Sequence, residues 1–148
     1  MVAVAPSQAR ADIPVIDPAS EPYWEAARDG RLLITQCTAC SKVHHYPRPF
    51  CPYCWSEDVH AVTASGAGTL YTFSTVFVND LAPFKERLPY VAAIVELTEG
   101  PRLMTIIEGA DPQNLRVDMP VTAVFRPVDE NDPDSPYLTI FTPSEEHA

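Results

Sequence analysis

Two short stretches, Cys37-Thr38-Ala39-Cys40 and Cys51-Pro52-Tyr53-Cys54, decide how the chain reads. Together they spell C-x2-C-x10-C-x2-C. Each C-x-x-C turn places two sulfurs near one point, and the ten residues between the turns bring the pairs together. Four thiolates in this spacing fill all four positions of a tetrahedral metal site, with none left for water. The site is therefore a structural centre, with Cys37, Cys40, Cys51 and Cys54 as ligands and zinc as the expected metal. Rubredoxin-type iron uses the same ligand set. A thioredoxin-like redox pair is disfavoured, because there are two pairs and no βαβ pattern around them. His44 and His45 lie between the pairs, but four cysteines already complete the site. His60 and His147 read as ordinary polar positions.

Outward from this centre the chain is punctuated by proline, with 16 in 148 residues. That is roughly twice average usage and excludes long interior helices. The hydrophobic share of 46% nevertheless suffices for a folded core. The formal net charge is −10, and bound zinc with four thiolates makes the module more acidic still. A duplex-binding protein needs a basic footprint, so this balance argues against nucleic acid. No apolar run reaches the ~18–20 residues of a membrane span. Residues 1–12 lack the pattern of a secretory signal. The expected location is the cytoplasm.

Upstream, residues 1–17 read as a flexible leader. Residues 18–30 read as a short helix, with Ser20 as N-cap, Pro22 in its first turn and Gly30 as its stop. Tyr23, Trp24 and Ala27 share one face, which serves either the domain's own core or a partner. Arg31 to Gln36 reads as a strand into the first cysteine pair, and residues 31–59 form the ribbon.

From residue 60 the pattern has period two. Tyr71, Phe73, Thr75 and Phe77 alternate with Leu70, Thr72, Ser74, Val76 and Val78. The first set is expected to face the core. Gly66-Ala67-Gly68 permits a sharp bend or bulge. Tyr90–Leu97, Arg102–Ile107, Val121–Arg126 and Tyr137–Phe141 read as strands. Asn79–Pro89 reads as a loop, and Asp111–Asp118 as a connection with one helical turn. The fold class is mainly β: a short helix, a rubredoxin-like zinc ribbon, then a five-stranded OB-fold barrel over residues 60–142 with a tail at 143–148. The acidic run Asp129-Glu130-Asn131-Asp132-Pro133-Asp134 lacks the glycine and terminal glutamate of a calcium loop and reads as a solvated hairpin loop.

This order of modules resembles the acyl-CoA-associated zinc-ribbon/OB-fold family, once catalogued as a domain of unknown function. The resemblance rests on Tyr23-Trp24, Gly30-Arg31-Leu32, Gln36 to Cys40, Tyr46-Pro47-Arg48, Cys51 to Cys54, Gly66 to Phe73, Pro89-Tyr90-Val91, Val95-Glu96-Leu97, Glu99 to Met104 and Met119-Pro120-Val121. Where the family usually carries glycine after the first cysteine pair, this chain has Ser41. The resemblance implies a non-catalytic accessory or scaffold subunit of a thiolase-like acyl-CoA enzyme. Such enzymes cleave or form C–C bonds on acyl-CoA thioesters, as thiolases, hydroxymethylglutaryl-CoA synthase assemblies and steroid side-chain retro-aldolases do; others are acyltransferases.

The residues agree with that role. There is no G-x-S-x-G elbow, no cysteine left over as a nucleophile and no glycine-rich phosphate loop. Tyr23, Trp24, Tyr46, Pro47, Phe84 and Tyr90 are the candidate partner contacts. Arg48 is the candidate contact to acyl-CoA or to a partner carboxylate. The alternative is a single-stranded nucleic-acid binder, with Tyr71, Phe73 and Phe77 as stacking platforms.

Overall fold

The computed structural model describes residues 10–145. Most of the expected leader, the end of the expected tail and His147 lie outside the described residues. The elements are helix α1 (Glu21–Arg28) and strands β1 (Leu33–Cys37), β2 (Val43–His44), β3 (Val59–Thr63), β4 (Ala67–Val76), β5 (Tyr90–Leu97), β6 (Arg102–Ile107), β7 (Pro120–Pro127) and β8 (Tyr137–Pro143). Two short 3-10 turns, Phe84–Arg87 and Pro112–Asn114, interrupt the loops.

Helix α1 starts differently from the expected cap. Ser20 has helical backbone angles and makes no side-chain cap bond. Asp17 does the capping one turn earlier: its Oδ1 accepts the Ser20 N–H at 2.7 Å and its carbonyl accepts the Glu21 N–H at 2.9 Å. A free carboxylate is the stronger acceptor, and the Ser20 hydroxyl is buried against the same turn. The helix stops where expected. Gly30 takes φ +76°, the Gly30 N–H donates to Ala27 and the Arg31 N–H donates to Ala26. This is a Schellman stop, and the left-handed angle there suits glycine.

The ribbon is a three-stranded antiparallel sheet in the order β2-β1-β3. The segment from residue 60, expected to open the barrel, is part of β3. It pairs instead with β1 along its whole length, from Cys37↔Val59 to Leu33↔Thr63. The chain crosses to the barrel only at Ala64-Ser65-Gly66.

The barrel closes with five strands in the order β4-β5-β6-β8-β7, and β7 pairs back on β4. Every contact is antiparallel except β6 with β8, which run parallel and pair only at Ile107↔Phe141. That order and that single parallel contact are those of an OB-fold. Closure brings β4 against β5 so tightly that a Cβ on Gly68 would lie 2.6 Å from the Glu96 carbonyl oxygen.

The period-two reading of β4 is corrected by a bulge. The register of β4 on β5 shifts between Leu70 and Thr72. Leu70, placed in the outer set by the sequence, is fully buried, and Tyr71 and Thr72 both face outward. An extra residue in one strand reverses the alternation beyond it. Phe73 keeps the inward side, but Phe77 lies past the strand end and is 72% exposed.

One continuous apolar cluster runs through both modules. Tyr23, Leu32 and Ile34 of the helix–ribbon unit join Leu70, Val95, Val121 and Phe141 of the barrel. Arg28 adds a polar clasp, donating to the carbonyls of Pro133, Asp134 and Ser135. The acidic run is thus a hairpin loop between β7 and β8. Its carboxylates cap their own backbone, Asp129 accepting the Asn131 N–H and Asp132 accepting the Asp134 N–H.

The described part of the leader is held in place. Arg10 forms two bonds to Asp12, pairs with Asp129 at 2.7 Å and donates to the Val128 carbonyl. Arg87 completes the cluster on Asp12. Burial works against the Asp12 carboxylate, but the two guanidiniums outweigh it and hold it below the usual range. Asp129 and Val128, the distant partners of Arg10, lie more than a hundred residues away in the chain.

Candidate metal centre and binding face

The four cysteine sulfurs lie within 4.8 Å of one another. Cys37 and Cys54 approach to 3.7 Å, and Cys40 and Cys51 to 3.6 Å. A tetrahedral ion with ~2.3 Å metal–sulfur bonds sets its ligands about 3.8 Å apart. These two pairs stand near the separation a zinc ion requires, and all four sulfurs lie close enough together to ligate one ion. His44 and His45 are not part of the cluster.

The two knuckles repeat one backbone device. The Ser41 N–H donates to Cys37 and the Trp55 N–H donates to Cys51, both at 2.9 Å. The Cys37 N–H donates to Lys42 and the Cys51 N–H to Ser56. The residue after each pair is left-handed, Ser41 at φ 64° and Trp55 at φ 65°. Ser41 therefore takes the glycine-type angle directly, with local strain of order 1 kcal/mol.

The cluster's electrostatics call for a cation. Burial raises the Cys51 thiol, but the N–H groups of Tyr53 and Cys54 outweigh that and bring it to about 7. Cys54 accepts the Ser56 N–H, yet burial and the neighbouring thiols push it up to about 12. Adjacent thiolates cannot all ionise unaided, and a divalent ion removes that conflict. The chemistry such an ion supplies here is structural.

The expected partner contacts fall into two places. Tyr23 is buried and packs edge-on against Trp24 and His45, at 5.1 and 5.6 Å between ring centroids. Trp24 is half-buried against the same core. The helix aromatics therefore serve the molecule's own packing, because α1 is wedged between ribbon and β8. Tyr46, Pro47 and Arg48 border this unit, with Tyr46 and Arg48 exposed. Burial first, and the neighbouring His44, lower the His45 ring to about 4, so it is neutral at pH 7.

Phe84 and Tyr90 lie on the barrel, in the wall of a cleft of about 620 Å³. The cleft sits where β6 and β8 diverge beyond their single pairing. Its floor is a feature the sequence reading missed. On β5, Val91, Ala93, Val95 and Leu97 fill the barrel, while Tyr90, Ala92 and Ile94 form the outer face. Register places Ala92 beside Ile106 and Ile94 beside Met104. Met104 is 81% exposed. Phe77, Val78 and Leu81, in the loop that follows β4, are also exposed. A two-sided apolar strand in an antiparallel barrel was the available signal, since the solvent face of such a sheet is normally polar.

The comparisons with known proteins agree with this architecture. Residues 24–60 match the family described as ChsH2, rubredoxin-like zinc ribbon domain, and residues 61–126 match ChsH2, C-terminal OB-fold domain. A DUF35 domain-containing scaffold protein of Methanocaldococcus jannaschii is 36% identical over 115 residues, 75% of this chain and 79% of that protein. The chain thus belongs to the DUF35 family of ChsH2-type zinc-ribbon/OB-fold proteins. A probable enoyl-CoA hydratase alpha subunit of Thermomonospora curvata is 41% identical over 99 residues, 67% of this chain. The chain spans only 30% of the length of that relative. Among solved structures, a chain of the Ltp2-ChsH2(DUF35) aldolase is 38% identical, with a TM-score of 0.74, covering 88% of this chain and 98% of that one. No helix among the described residues is long and apolar enough to cross a membrane.

Proposed function

We propose that this chain is a non-catalytic accessory or scaffold subunit of a cytoplasmic acyl-CoA enzyme. The observation that carries the reading is its likeness, over nearly the whole of both chains, to a subunit of the Ltp2-ChsH2(DUF35) aldolase. The partner is a thiolase-like condensing or retro-aldol enzyme acting on C–C bonds of an acyl-CoA thioester. This chain stabilises it and helps shape its acyl-CoA site. The ribbon, with Cys37, Cys40, Cys51 and Cys54 on zinc, is the rigid knob, and the apolar outer face at Tyr90, Ile94 and Met104 is the docking patch. An outer sheet face of this kind is what a partner would cover.

Co-expression with a candidate thiolase-like partner enzyme tests the reading. A stable hetero-oligomer is expected, with acyl-CoA turnover that needs both chains. Separate elution together with full activity of the larger protein alone would overturn it.

One observation favours the nucleic-acid alternative: Tyr71 and Phe77 are exposed, not packed inside. Yet the Arg102 guanidinium already lies over the Tyr71 ring at 3.8 Å and is paired with Glu96. Stacking a base there must displace it. Salt-dependent binding of a single-stranded oligonucleotide would support this second reading.

A further inference from the structure

The loop between β4 and β5 borders the proposed docking patch at Tyr90. It carries Phe77, Val78 and Leu81, all exposed. Its 3-10 turn, Phe84–Arg87, puts Phe84 and Arg87 into the wall of the cleft of about 620 Å³. Arg87 also lines a neighbouring cleft of about 370 Å³, so its side chain belongs to the wall the two share.

Two side-chain hydrogen bonds tie the ends of this loop. At the start, the Asn79 side-chain amide donates to the Tyr90 hydroxyl at 3.0 Å. At the end, Arg87 Nη2 donates to Asp12 Oδ2 at 3.1 Å. The second contact reaches across 75 residues of chain and ends on a side chain that is only 3% exposed. Arg10 holds Asp12 from the other side, with Nε on Oδ1 and Nη2 on Oδ2. Arg10 is itself pinned to Asp129 and to the Val128 carbonyl. The end of β7 thus anchors Arg10, Arg10 anchors Asp12, and Asp12 anchors Arg87. The Arg87 guanidinium lies 5.9 Å from the centre of the Phe84 ring, so the cleft wall is continuous with this relay.

We propose that Asp12 is a positioning residue for the docking loop. It fixes Arg87, and with it the Phe84–Arg87 turn, where the turn walls the cleft and the loop presents its apolar residues. Burying a carboxylate against guanidiniums returns little net stability, because desolvation offsets the attraction; what such a contact can fix is geometry. Without it the turn keeps only local bonds, from Lys85 N–H to Leu81 and from Glu86 N–H to Pro83. A loop already in place spares a partner the entropy of ordering it. That consequence for association rests on the accessory-subunit reading, whereas the positioning itself does not.

The test is hydrogen exchange on the full zinc-loaded chain, without any partner. In Asp12→Asn the Lys85 and Glu86 amides should exchange at least tenfold faster, while β5 and β6 amides keep their rates. Arg87→Gln, at a half-exposed side chain, should do the same and supplies the readout if Asp12→Asn does not fold. The double variant should exchange no faster than either single one, because both remove one contact. Binding to the candidate partner of the co-expression experiment should weaken about tenfold in either variant. Unchanged exchange at Lys85 and Glu86, effects that multiply in the double variant, or equal acceleration through β5 and β6 would overturn the positioning role. Faster exchange with unchanged association would overturn its consequence for docking. An unaltered chain that forms no complex would count against the accessory-subunit reading alone, and exchange would still decide the role of Asp12.

Discussion

The ribbon and the barrel reach stability by opposite routes. The ribbon is a sheet of one five-residue strand flanked by partners of two and five residues. Its shape is fixed by four sulfurs and two left-handed knuckles, and few of its side chains are buried. The barrel contains no metal cluster among the described residues and is held by inward side chains from all five strands. One region is specified by a point, the other by a pattern. A point tolerates change everywhere except at its ligands, whereas a pattern spreads the risk and can slip by one residue.

The largest effect that separates the two regions comes from the metal. Cys37→Ser, or removal of metal by chelation, should unfold the ribbon, because structural zinc supplies of order 10 kcal/mol of folding free energy. Hydrogen exchange should show β1–β3 amides losing protection while β5 and β6 retain theirs. Metal analysis of the unaltered chain should give about one zinc per chain, as one four-ligand site requires. Simultaneous collapse of both regions would mean that the shared core at Leu32, Ile34 and Phe141 couples them too strongly for the contrast to hold.

Within the barrel, the bulge gives the next largest effect. Leu70→Ala should cost about 2–5 kcal/mol in denaturant melts, as a buried leucine does, without loss of zinc. Tyr71→Ala, one residue away, should cost no more than about 1 kcal/mol, the worth of its exposed contact with Arg102. Equal costs at both positions would remove the bulge from the account.

A smaller effect belongs to pH. His45 titrates near 4 in the folded chain, against about 6.5 when unfolded. Between those values the unfolded state binds more protons, so stability falls as pH drops through this window. The loss should reach about 1 kcal/mol by about pH 5.5 relative to about pH 7. Thermal melts of zinc-loaded protein should show it, and His45→Gln should lack it. A slope that survives in the variant would assign the acid sensitivity to other groups.

The smallest effect is expected at Met104. Met104→Gln should leave the isolated chain's stability within about 0.5 kcal/mol of the parent. The same change should weaken association with the partner enzyme, read by gel filtration of the co-expressed pair. A variant that associates normally would move the docking patch elsewhere.

The residues that sequence could read were those whose partners lie close by or whose chemistry allows one use. Four cysteines in two C-x-x-C pairs have few other purposes, and Gly30 marked the helix stop by its own conformational freedom. Trp24, Tyr71 and Arg10 were harder. Each has several uses, and the choice depended on which distant strand, ring or carboxylate stood opposite.

The amino-acid sequence by itself determined the metal centre, the order of helix, ribbon and barrel, and the family. Local spacing encodes the first two, and the resemblance of the joint motifs carries the third. Only the tertiary structure decided that Leu70 points inward and Tyr71 outward, because a bulge has no signature in a run of alternating residues. It alone decided that β3 belongs to the ribbon, since strand pairing is a long-range choice. It alone exposed the apolar outer face of β5 and β6, because burial and company are properties of the folded chain.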